Sequence, residues 1–157
     1  MFKEGTIDGV IIRPLKKFAD KRGWLIELFR DDELDAKDQP VMAYTSITNP
    51  DVARGPHEHV DQSDLFGFIG PSNFKLYLWD NRKSSRTYMQ KQIVVAGEDH
   101  PMSVIIPPGV VHAYKNIGPG EGIVYNFANR LYAGKGKKEP VDEIRHEQDP
   151  NSIFTLD

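Results

Sequence analysis

Arg54-Gly55-Pro56-His57-Glu58-His59, followed by Gln62-Ser63-Asp64, is answered about fifty residues later by Pro107-Pro108-Gly109-Val110-Val111-His112. Both clusters are short and polar, and both are bounded by turn formers and by runs of strand-forming residues. Side chains alternate along a strand, so His57 and His59 share one face. Unbroken alternation would turn Asp64 to the opposite face. Together the clusters are expected to bring three imidazoles and an arginine to neighbouring strands of one pocket.

Working outward, Leu65 to Ile69 reads as a strand ended by the turn Gly70-Pro71-Ser72-Asn73, and Phe74 to Trp79 alternates with period two. The expected partner of that second strand is Tyr88 to Val95, across a loop from Asp80 to Thr87 that carries basic and hydroxyl side chains. Ser103 to Ile106 runs straight into the second cluster, Ile123 to Asn129 is the last strand, and the chain beyond Tyr132 reads as charged loop. On the N-terminal side, Val41 to Thr48 suits a strand; Val10 to Arg13 and Trp24 to Arg30 read as two more, with a turn at Ala19 to Gly23. Alternation puts Glu27 on the side of Leu25 and Phe29, either at a sheet rim or aimed into a cavity. Asp31 to Lys37 suits a short helical turn. Many short strands, frequent Gly and Pro turns and almost no helical periodicity predict an all-β sandwich or barrel.

The chain has 157 residues, enough to bury a core as one domain over residues 1–157. A formal charge of -3 supplies no basic field, so nucleic acid is not an expected partner. There is no cysteine, which excludes disulfides, thiolate metal ligands and a cysteine nucleophile. The N-terminus lacks the apolar run of a signal peptide and no segment is long and apolar enough for a membrane span, so a cytoplasmic protein with no membrane partner is expected.

His-x-His, then an acidic residue, then Pro-x-Gly-x-x-His-x-x-x-Asn ending at Asn116 resembles the two-part signature of the cupin superfamily. That resemblance implies a cupin-type double-stranded β-helix, or jelly roll. In metal-binding cupins the matching positions, here His57, His59, Asp64 and His112, would be ligands. Three imidazoles and one carboxylate suit zinc, iron, manganese or nickel without choosing among them.

A second resemblance covers nearly the whole chain. Arg13-Pro14, Asp20-Lys21-Arg22-Gly23-Trp24, Glu27-Leu28-Phe29-Arg30, Val52-Ala53-Arg54-Gly55-Pro56-His57, Asp80 to Thr87, Ile106 to His112, and Tyr125 thirteen residues on are similar to dTDP-4-dehydrorhamnose 3,5-epimerase. That family implies a dimeric jelly roll working without metal or other cofactor on a nucleotide-activated sugar. Carried over residue by residue, His57 falls on the catalytic base and Tyr125 on the catalytic acid, and Arg22, Glu27, Arg54 and His112 fall on substrate-contacting positions. The residue types suit the chemistry. A proton next to a ketone needs a base near neutrality, and imidazole titrates at about 6.5. A phenol on the opposite face of the sugar returns a proton with inversion, and arginines hold a diphosphate through paired hydrogen bonds.

The departures lie around the sugar. Where the family carries a lysine soon after the catalytic histidine, this chain has Asp64, which opposes enolate formation unless protonated, paired with an arginine or bound to metal. Met42-Ala43-Tyr44 replaces a Gln-Asp-Asn stretch, and His59 stands where the family tends to have glutamine. The C-terminal part is shorter, and Asp149 is the candidate for the aspartate that orients His57. The expectation is therefore a homodimeric epimerase or isomerase of a dTDP-4-keto-6-deoxy sugar or a related nucleotide sugar. Two alternatives stay open: a metal-dependent cupin on a small polar substrate, and a non-catalytic sugar-nucleotide binding module.

Overall fold

The turn formers cut the chain into strands that the computed structural model, describing residues 1–157, arranges in two facing sheets and a hairpin. In chain order these are β1 (Lys3–Glu4), β2 (Ile11–Pro14), β3 (Lys17–Asp20), β4 (Gly23–Ile26), β5 (Met42–Thr48), β6 (Ala53–Glu58) and β7 (Asp64–Phe68). They continue as β8 (Asn73–Asp80), β9 (Gln90–Gly97), β10 (Met102–Ile106), β11 (Val110–Asn116), β12 (Gly122–Ala128) and β13 (Ile144–Arg145). One sheet runs β1-β9-β8-β11-β6-β13 and the other β2-β10-β7-β12-β5. Every pairing is antiparallel except that of β1 with β9. This is the all-β jelly roll that the turn spacing and the two histidine clusters imply.

Between the sheets, Phe66, Phe68, Phe74, Leu76, Leu78 and Val104 anchor the main core. β8 is buried on its other face as well, where Tyr77 and Trp79 stack at 5.9 Å and Phe154 covers Trp79. The C-terminal tail is thus held by aromatic burial, each large side chain contributing roughly 1.5 to 3 kcal/mol.

Two expectations change. Trp24 to Arg30 is not one strand: β4 ends at Ile26 and folds back on β3, while β2 pairs with β10. Glu27 therefore belongs to no strand. Residues 28 and 29 instead lie over the outer face of the β7–β12 sheet, Leu28 beside Gly67 and Phe29 against Phe127 at 5.1 Å. Asp31 to Lys37 forms two short 3-10 turns, Asp31–Glu33 and Ala36–Asp38.

Candidate active site

β6 and β11 pair with His57 directly opposite His112, and the two rings stand perpendicular with centroids 6.4 Å apart. Gly55 makes this crossing possible. Its φ is +89°, and a Cβ there would sit 2.6 Å from the carbonyl oxygen of His112, so no other residue allows β6 this close to β11.

His57 is held by carboxylates from the C-terminal segment. Its Nε2–H donates to Glu147 Oε1 at 2.7 Å, and Nδ1 lies 3.6 Å from Glu143 Oε1. The structure does not pair Asp149 with His57: its carboxylate accepts from the backbone N–H of Asn151. β13 beside β6, with Arg145 opposite His57, brings this acidic stretch into place. His146 Nε2 donates to Glu58 Oε2 at 2.7 Å, and the Asp142 carboxylate accepts from the backbone N–H groups of Val60, Asp61 and Gln62 at 2.8 to 2.9 Å.

His59 lies just past the end of β6 and faces a different partner. The turn at residues 59–63 breaks the alternation, so Asp64 opens β7 on the same side as His59 and His112. Asp64 is 1 % exposed; His59 Nε2 is 3.0 Å and His112 Nε2 3.4 Å from its Oδ2. Gln62 Nε2 and Asn126 Nδ2 donate to its Oδ1 at 2.9 and 3.0 Å. His59 Nδ1 is hydrogen-bonded to the carbonyl of Asp142, and His112 Nδ1 lies 3.3 Å from that of Val110. Burial works against charge on His59, but the Asp64 carboxylate outweighs it and holds the imidazole up to about 9. Burial pushes His112 down to about 4. Burial also opposes the charge on Asp64, yet the two histidines and Asn126 keep its carboxyl below the ordinary range. Of the four residues read from the sequence as an alternative metal set, three are brought together. His59, Asp64 and His112 converge, whereas His57 is engaged by Glu147.

A cleft of about 750 Å³ opens beside this cluster. Its walls include His59, Tyr44, Tyr132 and Glu143, with Arg130 and Arg145 as cations. Tyr44 pairs across strands with Asn126, whose Nδ2 donates to the Tyr44 hydroxyl at 2.6 Å. Burial and the charge of Asp64 both push that phenol up. Tyr125 is not in this cleft. Because Asn126 faces Asp64, alternation along β12 sends Tyr125 to the opposite face, its Cβ 3.6 Å from the place a Gly67 Cβ would take, beside Leu28.

The remaining sequence candidates are separate. Arg22, at the tip of the β3–β4 hairpin, donates to Asp20 at 2.5 Å. Glu27 is exposed, 3.8 Å from Arg30. Arg54 is fastened to β5 through Thr48 Oγ1 at 3.1 Å and the carbonyl of Ile47 at 2.7 Å. Sequence reasoning missed Tyr44 and Tyr132 as phenols of the cleft and Glu147 as the carboxylate hydrogen-bonded to His57.

A jelly roll that sets His57 and His112 on paired strands, backs them with carboxylates and brings His59 to the wall of the adjoining cleft defines an acid–base enzyme on a cupin scaffold. Residues 4–143 match the family described as dTDP-4-dehydrorhamnose 3,5-epimerase, and the chain belongs to that family. It is 35% identical over 147 residues to the spore coat polysaccharide biosynthesis protein SpsL of Bacillus subtilis (strain 168), covering 94% of this chain and 93% of that protein. It is 32% identical over 128 residues, 81% of each chain, to the probable low-salt glycan biosynthesis epimerase Agl13 of Haloferax volcanii. Among solved structures, the dTDP sugar isomerase from Desulfovibrio desulfuricans G20 superposes with a TM-score of 0.83 at 20% identity, over 96% of this chain and 91% of that one.

Proposed function

We propose that the chain inverts a carbon next to the ketone of a dTDP-4-keto-6-deoxy sugar, or a related nucleotide sugar, with His57 as the base. The observation that carries this reading is the His57–Glu147 hydrogen bond behind the wall of a cleft of about 750 Å³, a size that suits a nucleotide sugar; His57 does not itself line the cleft and meets it through Glu143, 3.6 Å from its Nδ1. Glu147 keeps the ring proton on Nε2, so Nδ1 carries the lone pair. Glu143, a wall of the cleft, lies 3.6 Å from that nitrogen and links it to the substrate space. Proton removal gives an enolate, and Tyr44 is the phenol placed to return a proton from another side. Arg130 and Arg145 on the cleft wall suit the diphosphate.

The same reading takes the enzyme as a homodimer. The β3–β4 hairpin pairs only with itself and leaves Phe18, Trp24 and Leu25 more than half exposed, with Arg22 at its tip. Packing against a second copy covers those side chains and offers Arg22 and Glu27 a route to a cleft they do not reach in one chain. No helix is long and apolar enough to cross a membrane.

Incubation with a dTDP-4-keto-6-deoxy sugar in D2O, followed by NMR at carbons 3 and 5, tests the chemistry. Deuterium enters at one or both carbons with the wild type and at neither with His57→Asn. Equal exchange in the two proteins removes His57 as the base.

A further inference from the structure

His57 and Glu58 follow one another on β6, so their side chains leave opposite faces of the strand. The C-terminal segment grips both. Glu143 and Glu147 reach His57 on one face, and on the other His146 Nε2 donates to Glu58 Oε2 at 2.7 Å. We propose that His146 is a positioning residue for the reaction: fastened to Glu58 and packed on Phe154, it holds the turn from which Glu147 orients His57. The catalytic consequence rests on His57 being the base; the effect on the His57 ring does not.

Little else holds Glu147. It sits in a single 3-10 turn, His146–Gln148, that has no side-chain cap and follows a strand, β13, of two residues. A turn of this length does not persist alone in water. The Glu147 side chain is 33% exposed, and an ion pair that exposed adds little to holding a loop in place.

His146 is better placed to hold the turn. Its side chain is 17% exposed and that of Glu58 12%. Asn81, just past the end of β8, also donates to Glu58 Oε2, at 3.0 Å, so the acceptor of the His146 bond is itself fixed. The His146 ring lies 4.5 Å from that of Phe154, which packs on Trp79 at 5.9 Å and on Phe2 at 5.5 Å. Backbone turns tie this region together: the Asp149 N–H donates to the carbonyl of His146, and the Ser152 N–H to that of Asp149. One imidazole thus joins β6 to the aromatic cluster on the outer face of β8, and Glu147 is the next residue in the chain. A hydrogen bond weakens steeply away from its ordinary length and angle, and the partner of one ring nitrogen decides which nitrogen carries the proton. Loosening the turn therefore frees the His57 ring to take its other tautomer.

The test uses the full chain labelled with 15N-histidine, studied by NMR above neutral pH without substrate, together with turnover of a dTDP-4-keto-6-deoxy sugar. The wild type is expected to show His57, assigned by its loss in His57→Asn, as a single Nε2–H tautomer. In His146→Ala that ring averages between tautomers, and kcat falls about tenfold with KM changed less than about twofold. Glu58→Ala cuts the same contact from β6 and does the same, while Glu58→Gln keeps a carbonyl for His146 and preserves both the tautomer and kcat. Added to Glu147→Gln, His146→Ala costs no further kcat, because it acts through Glu147. An equal loss in both backgrounds, or a His57 tautomer untouched by His146→Ala and Glu58→Ala, overturns the proposal. So does a wild-type His57 protonated at Nδ1, a result that needs no variant. If the tautomers behave as expected but the wild type takes up no deuterium into the sugar from D2O, the epimerase reading fails and the positioning of the ring stands.

Discussion

His57 Nε2 and Glu147 Oε1 lie 2.7 Å apart although ninety positions separate them in the chain. On the proposed reaction, this contact sets which ring nitrogen is free and makes Glu147 the residue that positions the base. Glu147→Gln is expected to lower kcat about ten- to a hundredfold with little change in KM. Asp149→Asn leaves both constants unchanged. A kcat loss in Asp149→Asn with none in Glu147→Gln reverses the assignment.

The tyrosines separate by strand face. Tyr44→Phe removes the hydroxyl that meets Asn126 in the cleft and is expected to reduce epimer formation by roughly a hundredfold, while His57 still drives exchange of the substrate proton. Tyr125→Phe, altered on the outer face beside Leu28, leaves turnover as it was. Product ratios by NMR distinguish the two, and a turnover loss confined to Tyr125→Phe transfers the acid role back to that residue.

Much of the scaffold was legible because its signals are local. Alternation in Phe74 to Trp79, the Gly70-Pro71 turn and the Pro107-Pro108-Gly109 turn each dictate a boundary by backbone chemistry alone. His57 and His112 were legible for the same reason, as polar residues at strand ends. The face on which Tyr125 lies was not, since a one-residue difference in position exchanges the faces of a strand, and only the register of β12 against β7 decides that Asn126 faces inward. Nor were Glu143 and Glu147, which sit in an acidic stretch that reads as solvated loop and reach His57 only through β13. The match to the family ends at residue 143, before Glu147. Asp80 to Thr87 carried family resemblance, yet its polar groups are spent on the scaffold.

That scaffold role has a pH signature. Asp80 is fully buried and takes Arg82 Nε at 2.8 Å and the hydroxyls of Ser85 and Thr87 at 2.6 Å each. Burial alone would raise its carboxyl, but these donors hold it down to about 2. A folded-state value below the unfolded one means that the stabilisation is complete above about pH 4 and is lost as pH falls through about 2, a span worth roughly 2 kcal/mol. Urea unfolding should find Asp80→Asn less stable than wild type by at least about that amount at neutral pH, with the gap closing in acid. A gap that stays constant from neutrality to pH 2 would exclude this origin.

Gly55 ties fold to site in a single position. Gly55→Ala puts a methyl group where the carbonyl of His112 lies 2.6 Å away, at a φ of +89°. The expected cost is on the order of 2 to 4 kcal/mol, and because the strain falls on the His57–His112 pair, activity drops more than stability alone predicts. Thermal unfolding and turnover measured together check this; an alanine variant with wild-type melting and turnover contradicts the close approach.

The hairpin makes the assembly testable. Phe18, Trp24 and Leu25 are 55%, 51% and 64% exposed on a two-stranded sheet that adds no strand to either large sheet, and an isolated hairpin of this kind is marginal in water. Covering those side chains with a second copy removes apolar surface from water and steadies the hairpin at the same time. Light scattering should give twice the chain mass for the wild type and a shift toward the single-chain mass for Trp24→Ser combined with Leu25→Ser. If Arg22 and Glu27 reach substrate only through that assembly, the double variant raises KM as it dissociates, and Arg22→Ala raises KM without dissociation. A wild type that is monomeric at assay concentration, with full turnover, removes the hairpin from the active unit.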